Sequence, residues 1–487
     1  MSTTPSIAEL LRALPQEEDD PVSMPEALAA ALRPVPVGRW RRMRLLGTLQ
    51  AKIAVAYLFY WIRGWFQEAG EQKLLLAETH WQTALRLLDS MSYLRGAAMK
   101  VGQTLANFPD IVPSQFVDML NQLHFDAPPM HWSLLREMVA NELGDDPERL
   151  FASFEKRAFA AASLGQVHRA RLRSGEDVAM KIQYPGIART IREDFRNLLL
   201  LLLPARLGED WENTKDQLAD LCTRMETETD YEAEATTLAR ARSLFRDEDG
   251  IVVPRVYPQY STARVLTMER LDGVHVDEFI ARNPSQEERN DAARKILRAW
   301  YRMMFAGRLL YADFHPGNFL FMNDGRLGVI DFGFVTNIDE EMWAFLRKVD
   351  RPLTTGRLED RIAVVKEWTG ITDELADAQR LRLVEEFSDW CWSSRYCGGE
   401  FDFGDEADFR RGVDLFAQLV ARRYGRGRSS SAVVTRQQFG LRSIFYRLKA
   451  RFDVRPICEE ELKVTGWDRR DYMGASGGHS GASPDKT

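Results

Sequence analysis

The chain has 487 residues, enough for roughly two or three domains that each bury a core. Its 72 acidic and 65 basic residues give a formal net charge of −7, so it lacks the overall positive charge of nucleic-acid-binding proteins. Four cysteines without a CxxC pair argue against a disulfide framework or a zinc site and favour a reducing compartment. The first residues resemble neither a secretory signal nor a transit peptide, so we expect a cytoplasmic protein.

Residues 1–70 form an N-terminal segment that we expect to be partly disordered, because prolines interrupt its first half. Its apolar run, Ile53 to Ile62, is too short for a transmembrane helix, which needs about 20 residues. Arginines precede this run and aromatic residues flank it. Two interpretations stay open: an interfacial helix that makes peripheral contact with a membrane, or a core-facing helix end with a solvated basic face. The second is favoured.

Residues 71–150 are predicted to form a helical extension. Apolar residues from Leu87 to Ala98 recur at spacings of three and four, which is typical of a helix. The helix leads into Lys100-Val101-Gly102-Gln103. A lysine beside a helix-breaking glycine is by itself weak evidence of function, so Lys100 and Gln103 gain meaning only from the wider pattern.

Residues 151–275 are predicted to form a small β-rich nucleotide lobe. Val178, Met180 and Ile182 alternate along a strand, which places Lys181 on the opposite face. A lysine on a strand beneath a small-residue loop can reach the alpha and beta phosphates of a nucleotide, although an exposed strand lysine is the commoner case. The predicted loop consists of Ala160, Ala161, Ala162 and Ser163.

A lysine in this role needs a carboxylate partner. One helix is predicted from Lys215 to Phe245 and carries Glu228, Asp230 and Glu234. Asp230 and Glu234 are four residues apart and share a face. Acidic residues at this spacing usually lie on a wet surface, and the need for a partner to Lys181 is what favours Glu234.

Two further strands, Ile251 to Tyr257 and Arg264 to Glu269, are predicted to complete this lobe. The second ends in Met268-Glu269 shortly before a glycine, which is typical of an exit into a hinge. We expect backbone groups near Glu269 to meet the adenine edge and Met268 to line its pocket.

Residues 276–473 are predicted to form a helical large lobe, and the tail 474–487 to be disordered. Ser285 and Glu288 form a capping box that opens its first long helix. After Phe334 the chain is predicted to return to helix almost at once, capped by Asn337 or Asp339. Later helices are predicted at 341–348, 357–368, 376–391, 407–423 and 435–448.

The segment from Tyr311 to Gly333 contains the residues with the strongest chemical signal. Asp313 and Asn318 lie in a loop, and a hairpin around Asn323-Asp324-Gly325 then leads to Asp331. Asp313 is a candidate base, and Asn318 and Asp331 are candidate ligands of magnesium. Each residue alone has an ordinary structural explanation, but the ordered set is typical of phosphoryl transfer from a nucleotide.

Taken together, these segments resemble one family, the UbiB/ADCK (AarF-type) atypical kinases, from about Leu87 to Trp343. The matching elements are a K-x-G-Q signature, an Ala-rich loop in place of a Gly-rich loop, a strand lysine, an E-x-D-Y-x-x-E-A element, and the A-D-F-H-P-G-N and D-F-G segments. The K-x-G-Q signature is Lys100–Gln103, the Ala-rich loop is Ala160–His168, and the strand lysine is Lys181. The E-x-D-Y-x-x-E-A element is Glu228–Ala235, and the last two segments are Ala312–Asn318 and Asp331–Gly333.

The resemblance implies an α+β, bilobal protein-kinase-like fold with a small β-rich nucleotide lobe, a helical large lobe and a helical N-terminal extension that carries the KxGQ motif. It marks Glu234 as the partner of Lys181. It also implies that Lys100 contacts Glu228 or Asp230 over the site and that Gln103 lies near the phosphates.

The function implied is that of an atypical kinase or ATPase that binds ATP or ADP with Mg²⁺ and supports ubiquinone or other isoprenoid-lipid metabolism. An isoprenoid lipid or quinone precursor is the expected partner. The second hypothesis is a nucleotide-gated lipid-binding scaffold, a pseudokinase without productive transfer. A protein kinase ranks third, because helix resumes too soon after Gly333 to leave room for an activation segment.

Overall fold

The structure, a computed structural model, describes residues 130–162, 164–187, 223, 226–311, 314–355, 357–372, 374–422 and 429–464. The predictions for the segment 1–70, for most of the extension 71–150 and for the tail 474–487 therefore lie outside the described residues.

The small lobe consists of a sheet with helices packed against it. Its elements and those that lead out of it are, in chain order, α1 (Trp132–Leu143), α2 (Pro147–Leu150), β1 (Phe151–Phe154), β2 (Ala160–Ala162), β3 (Gly165–Leu172), β4 (Asp177–Gln183), α3 (Tyr231–Arg242), β5 (Ile251–Val252), β6 (Val265–Glu269) and β7 (Gly273–Val274).

The large lobe is mainly helical. Its elements are α4 (Val276–Ala281), α5 (Gln286–Phe305), β8 (Leu309–Tyr311), β9 (Phe319–Met322), β10 (Leu327–Val329), β11 (Val335–Asn337), α6 (Glu340–Thr355), α7 (Leu358–Thr369), α8 (Leu375–Tyr396), β12 (Phe401–Asp402), α9 (Glu406–Ala421), α10 (Ser429–Leu448), β13 (Arg451–Phe452) and α11 (Arg455–Val464). The five later helices that the sequence predicts are all present, with shifted ends.

The sheet of the small lobe is antiparallel, with β3 and β4 at its centre and β6 beside β4. Val178, Met180 and Ile182 are fully buried and pack with residues of α1 in one apolar cluster. Because side chains alternate along a strand, Lys181 faces away from that cluster, as predicted.

Helix α3 is shorter than the sequence predicts. A turn at Glu228 and Thr229 interrupts the predicted helix from Lys215 to Phe245, and α3 starts only after Asp230. The Oδ1 atom of Asp230 accepts hydrogen bonds from the backbone N–H groups of Glu232 and Ala233. The predicted helix is therefore wrong at this point, because the aspartate caps a new helix.

A second sheet holds the predicted catalytic hairpin, in the order β5–β10–β9–β7. The predicted strand 251–257 is only partly correct. Val256 forms an antiparallel bridge to Met268 of β6 in the small lobe. β5 covers only Ile251 and Val252, and it pairs in parallel with β10 of the hairpin. This pairing joins positions more than seventy residues apart, so no local pattern indicates it.

Helix α5 runs through the core of the large lobe. The predicted capping box is present: the Oγ of Ser285 accepts from the N–H of Glu288, whose carboxylate accepts from the N–H of Ser285. The inward face of α5 is buried, including Ala293, Ile296 and Trp300. This face supports β8, which leads directly into the loop of Asp313.

After the Asp-Phe-Gly segment the chain forms β11 before it returns to helix, a strand that the sequence analysis does not predict. β11 pairs with β8, and Asn337 lies at the end of this pairing. Asp339 caps α6 by accepting a hydrogen bond from the N–H of Met342. In the part of the chain that the structure describes, no helix combines the length and the apolar character needed to cross a bilayer.

Candidate active site

Lys181 on β4 and Glu234 on α3 form a buried ion pair. The Nζ of Lys181 lies 2.9 and 3.0 Å from the two carboxylate oxygens of Glu234. The two residues are only 7% and 5% exposed. The pairing that the sequence analysis favours is therefore present, and it holds the ammonium group at one position.

Asp331 lies beside this pair. Its Oδ2 is 3.6 Å from the Nζ of Lys181, and its Oδ1 accepts a hydrogen bond from the N–H of Gly333 at 2.9 Å. Its carbonyl oxygen accepts from the hydroxyl of Tyr311 at 2.9 Å. The small sheet, α3 and the hairpin thus converge on a single cluster of charges.

The hairpin brings Asn318 close to Asp331. The carbonyl oxygen of Asn318 accepts from the N–H of Ile330, the residue before Asp331, at 3.1 Å. Asn318 is 9% exposed, and the side chain of Asp331 is 34% exposed. An amide oxygen and a carboxylate at adjacent positions are oxygen donors of the kind that Mg²⁺ prefers. Among the described residues there is no group of three or more His, Cys, Asp or Glu side chains that could hold a metal ion. Asn318 and Asp331 are thus the residues here that could contribute oxygen ligands to such an ion.

Burial and charge act in opposite directions on the pair. Burial alone would lower the pKa of Lys181, but the carboxylates of Asp331 and Glu234 outweigh it and raise that pKa well above its usual value. Burial raises the pKa of Glu234, and the charge of Lys181 opposes this shift. The ammonium group of Lys181 therefore stays charged at neutral pH, which a phosphate-binding lysine requires.

The Ala-rich segment differs from its prediction as a loop. Ala160–Ala162 form strand β2, which pairs with Gly165–Val167 in a tight hairpin, and Ser163 at its tip lies outside the described residues. A side chain at Gly165 would bring a Cβ to 2.1 Å from the carbonyl oxygen of Ile182. Gly165 therefore permits the hairpin to lie against β4, and the sequence analysis missed this role although a glycine at a strand start was its visible signal.

The side chains of Gln166 and His168 link this hairpin by hydrogen bonds to the backbone of neighbouring segments. The N–H of Met130 donates to Oε1 of Gln166 at 2.9 Å, and Nε2 of Gln166 lies 2.8 Å from Nε2 of His168. The Nδ1 of His168 lies 2.9 Å from the carbonyl oxygen of Glu155 and must donate to it. Burial lowers the pKa of His168, which keeps the ring neutral and preserves this chain of hydrogen bonds.

Met268 and Glu269 lie at the end of β6, as predicted. Met268 is 8% exposed and packs in the same cluster as Ala179. The carboxylate of Glu269 accepts from the N–H of Arg255 at 3.1 Å and lies 3.4 Å from Arg242. Its side chain is therefore engaged with those arginines.

The predicted gate of Lys100 and Gln103 stays a prediction, and so does the predicted base. Lys100, Gln103 and Asp313 lie outside the described residues, and Asp230 serves as the cap of α3. The sequence analysis also missed Tyr231, which is 1% exposed and places its ring 5.1 Å from the Nζ of Lys181. An aromatic face at that distance favours a cation.

Comparisons with known proteins agree with this geometry. A family model described as the ABC1 atypical kinase-like domain matches residues 122–355, which include the small lobe and the hairpin. Over this stretch the chain is similar to the UbiB/ADCK family of atypical kinases. The prediction of the family from its motifs is therefore confirmed.

Among UbiB/ADCK relatives, the mitochondrial atypical kinase COQ8 of Saccharomyces cerevisiae is 33% identical over 57% of this chain and 54% of its own length. The mitochondrial atypical kinase COQ8B of Danio rerio is 29% identical over 78% and 60%. The AarF domain-containing kinase 1 of Drosophila melanogaster is 30% identical over 61% and 60%. The chain thus spans little more than half the length of these relatives.

A solved structure supports the fold. The structure titled as the complex of Rv3197 with erythromycin from Mycobacterium tuberculosis matches with a TM-score of 0.52 and 24% identity, over 80% of this chain and 98% of that chain. The predicted α+β, kinase-like fold with an antiparallel small lobe and a helical large lobe is confirmed.

Proposed function

We propose that this protein binds a magnesium nucleotide and transfers or hydrolyses its terminal phosphoryl group. One observation carries the proposal: the Nζ of Lys181 lies within 3.0 Å of Glu234 and 3.6 Å from Asp331. A lysine needs no such arrangement for stability alone, because a buried ion pair is often replaceable by apolar residues without loss.

Each residue has a role in this proposal. Lys181 orients the alpha and beta phosphates, and Glu234 keeps its ammonium group in place. Asn318 and Asp331 would hold Mg²⁺, which supplies neutralisation of phosphate charge. The Ala-rich hairpin covers the phosphates less closely than a Gly-rich loop, because alanine does not adopt positive φ as freely as glycine.

The reaction also needs a base and an acceptor. Asp313 accepts the proton of the attacking hydroxyl group or water, while the bond between the beta and gamma phosphates breaks and ADP leaves. Met268 and backbone groups near Glu269 bind adenine. Lys100 and Gln103 close over the phosphates, with Lys100 held by Glu228 or Asp230.

We propose a small or lipid-like acceptor. β11 follows Gly333 almost at once and pairs with β8, and α6 begins at Glu340, so little chain is available as a platform for a peptide. The family resemblance supports a quinone precursor or another isoprenoid lipid. Such an acceptor would be met at a membrane surface, and the interfacial interpretation of the apolar run from Ile53 to Ile62 would supply a peripheral contact there.

The test is ATP turnover with and without anionic liposomes and a phenolic quinone precursor. We expect Asp331→Asn to lower turnover by about 100-fold or more and to weaken binding of the magnesium nucleotide. Asp324→Asn, in the exposed turn of the same hairpin, is the matched control and should retain activity.

Two outcomes would replace the proposal. Tight binding of the magnesium nucleotide without turnover under every lipid condition would favour the nucleotide-gated scaffold. Transfer of phosphate to a protein partner would favour the protein kinase.

A further inference from the structure

Helix α10 (Ser429–Leu448) lies beyond the stretch that the ABC1 family model covers, and yet it touches the segment that carries the site. The Nε2 of Gln437 donates a hydrogen bond of 2.6 Å to the carbonyl oxygen of Tyr311. Tyr311 is the last residue of β8 and stands two positions before Asp313. Gln437 is 1% exposed, so water does not compete for this bond.

A second contact, one turn along the same helix, involves Gly440. A side chain there would bring a Cβ to 2.8 Å from the Cβ of Phe314 and to 2.9 Å from its carbonyl oxygen. The helix backbone therefore lies directly against Phe314, and only glycine permits that approach. Tyr311 and Phe314 are the residues on either side of Ala312 and Asp313 in the chain.

The contacts of α10 extend to Asp331 through Tyr311. The hydroxyl of Tyr311 donates to the carbonyl oxygen of Asp331, and its ring packs edge-on against Phe314 and Phe332. A shift of the Tyr311 backbone would therefore disturb the candidate base and the candidate metal ligand together.

We propose that Gln437 and Gly440 are positioning residues that hold Tyr311 and Phe314, the described residues on either side of Asp313, in their working geometry. This inference rests on the proposed function and assigns part of the site to a helix about 120 residues away in sequence. Neither residue needs to touch the nucleotide. Their effect is to fix where the base stands relative to the phosphates, and a misplacement of about 1 Å can cost about 100-fold in rate.

The principal variant is Gln437→Leu, with Gln438→Leu as its control. Gln438 is the next residue of α10 and is also buried, at 3% exposed. Within the described part of the chain, Oε1 of Gln437 and Nε2 of Gln438 are both buried without a hydrogen-bond partner. Leucine at either position removes one such desolvated atom, and Gln437→Leu in addition removes the donor to the carbonyl oxygen of Tyr311, which is the contact under test.

We expect Gln437→Leu to lower kcat by about tenfold or more while the Kd of Mg-ATP stays within about twofold, and Gln438→Leu to leave both unchanged. Amide hydrogen exchange of the peptide 309–322 should be faster in Gln437→Leu than in Gln438→Leu. Equal kcat and equal exchange in the two variants would overturn the proposal. A rise in the Kd of Mg-ATP that accounts for the whole loss of activity would overturn it too.

Two glycine-to-alanine substitutions, at Gly440 and Gly412, give a second test. Gly440→Ala should lower turnover per folded molecule, because its new Cβ meets Phe314. Gly412→Ala places a Cβ 2.0 Å from Trp390, in a separate apolar cluster, and should cost stability without lowering turnover per folded molecule. Equal turnover per folded molecule in these two variants would count against the role of α10.

The exchange measurement separates this inference from the proposed function. A wild-type protein without ATP turnover would refute the proposed function. A comparison of amide hydrogen exchange in the peptide 309–322 between Gln437→Leu and Gln438→Leu would still decide whether α10 holds Tyr311 and Phe314.

Discussion

At the scale of single residues, Lys181 determines whether the carboxylate of Glu234 can remain charged in the core. Both side chains are almost fully buried and bonded to each other. Removing one partner of a buried pair leaves an uncompensated charge, which costs about 3–5 kcal/mol. The pair is therefore a sensitive site for a test that combines mutation with pH.

We predict that Lys181→Met abolishes turnover and destabilises the protein by about 3 kcal/mol near pH 8, and by less near pH 5. Burial raises the pKa of Glu234, and removing Lys181 removes the charge that opposes this shift. A carboxyl group whose pKa is higher in the folded state binds its proton more tightly there, so stability falls as pH rises. Denaturant unfolding of the variant and the wild type at several pH values measures the effect.

The double variant Lys181→Met/Glu234→Gln is the control for this prediction. It lacks the titrating carboxyl group, so its stability relative to the wild type should not show the extra loss with rising pH. An equal loss in Lys181→Met at pH 5 and pH 8 would contradict the explanation by an orphaned carboxylate.

Several of the site residues were predictable because they occur as an ordered set. Lys181 and Asp331 each have an ordinary structural explanation, and only their combination with the other motifs indicated a nucleotide site. Gly165 and Gln437 were not identified in the same way. Their roles depend on approach to Ile182 and Tyr311, contacts that arise only after the chain has folded.

At the scale of elements, helix α3 is fixed to the large lobe by Arg240. Its guanidinium donates to the side chain of Asn337 on β11 at 2.7 Å and to the carbonyl oxygen of Gly307. Asn337 lies four residues after Gly333, on the strand that follows the Asp-Phe-Gly segment. This link joins the helix of Glu234 to the strand that follows the Asp-Phe-Gly segment.

We predict that Arg240→Ala lowers kcat by roughly fivefold to tenfold, because Glu234 loses part of its support and a small misplacement is costly. Arg246→Ala, in which the replaced side chain is 83% exposed, should have no comparable effect. Steady-state kinetics of the two variants provide the comparison. Full activity of Arg240→Ala would show that packing alone holds α3.

Elements that depend on interactions between residues close in sequence were predicted, whereas those that depend on distant pairing were not. Helix α5 was predictable because its capping box and apolar periodicity are local. β2 and β11 were missed, and β5 was assigned to the wrong sheet, because each is short and exists only through pairing with a strand elsewhere: β3, β8 and β10. The break before α3 was missed because Asp230 was taken as a helix interior residue.

At the scale of the whole molecule, one buried charge network connects distant parts of the chain. Glu461 on α11 is fully buried and receives Arg298 and Arg302 of α5 at 2.9 and 2.7 Å. Arg302 also bonds to Asp249, in the loop between α3 and β5. The C-terminal helix, the central helix and the exit from α3 are therefore joined.

We predict that Glu461→Ala destabilises the protein by about 3 kcal/mol, because the buried guanidinium of Arg302 and the partly buried one of Arg298 each lose one of their two carboxylate partners. Glu460→Ala is the matched control: Glu460 binds Arg298 at 2.7 Å but is 57% exposed, so its loss should cost less than about 1 kcal/mol. The free energy of unfolding in urea measures both. Equal losses would mean that burial does not govern this network.

The pairing of β5 with β10 affects how the cleft can open. Leu238 and Ala241 of α3 belong to the apolar cluster of the large lobe, and the chain leaving α3 enters the sheet that carries Asn318 and Asp331. Glu234 and Asp331 are thus both tied to the large lobe, whereas Lys181 belongs to the antiparallel sheet of the small lobe. If the small sheet tilts away, the ion pair between Lys181 and Glu234 must break. The distance between these two side chains would therefore report whether the site is closed.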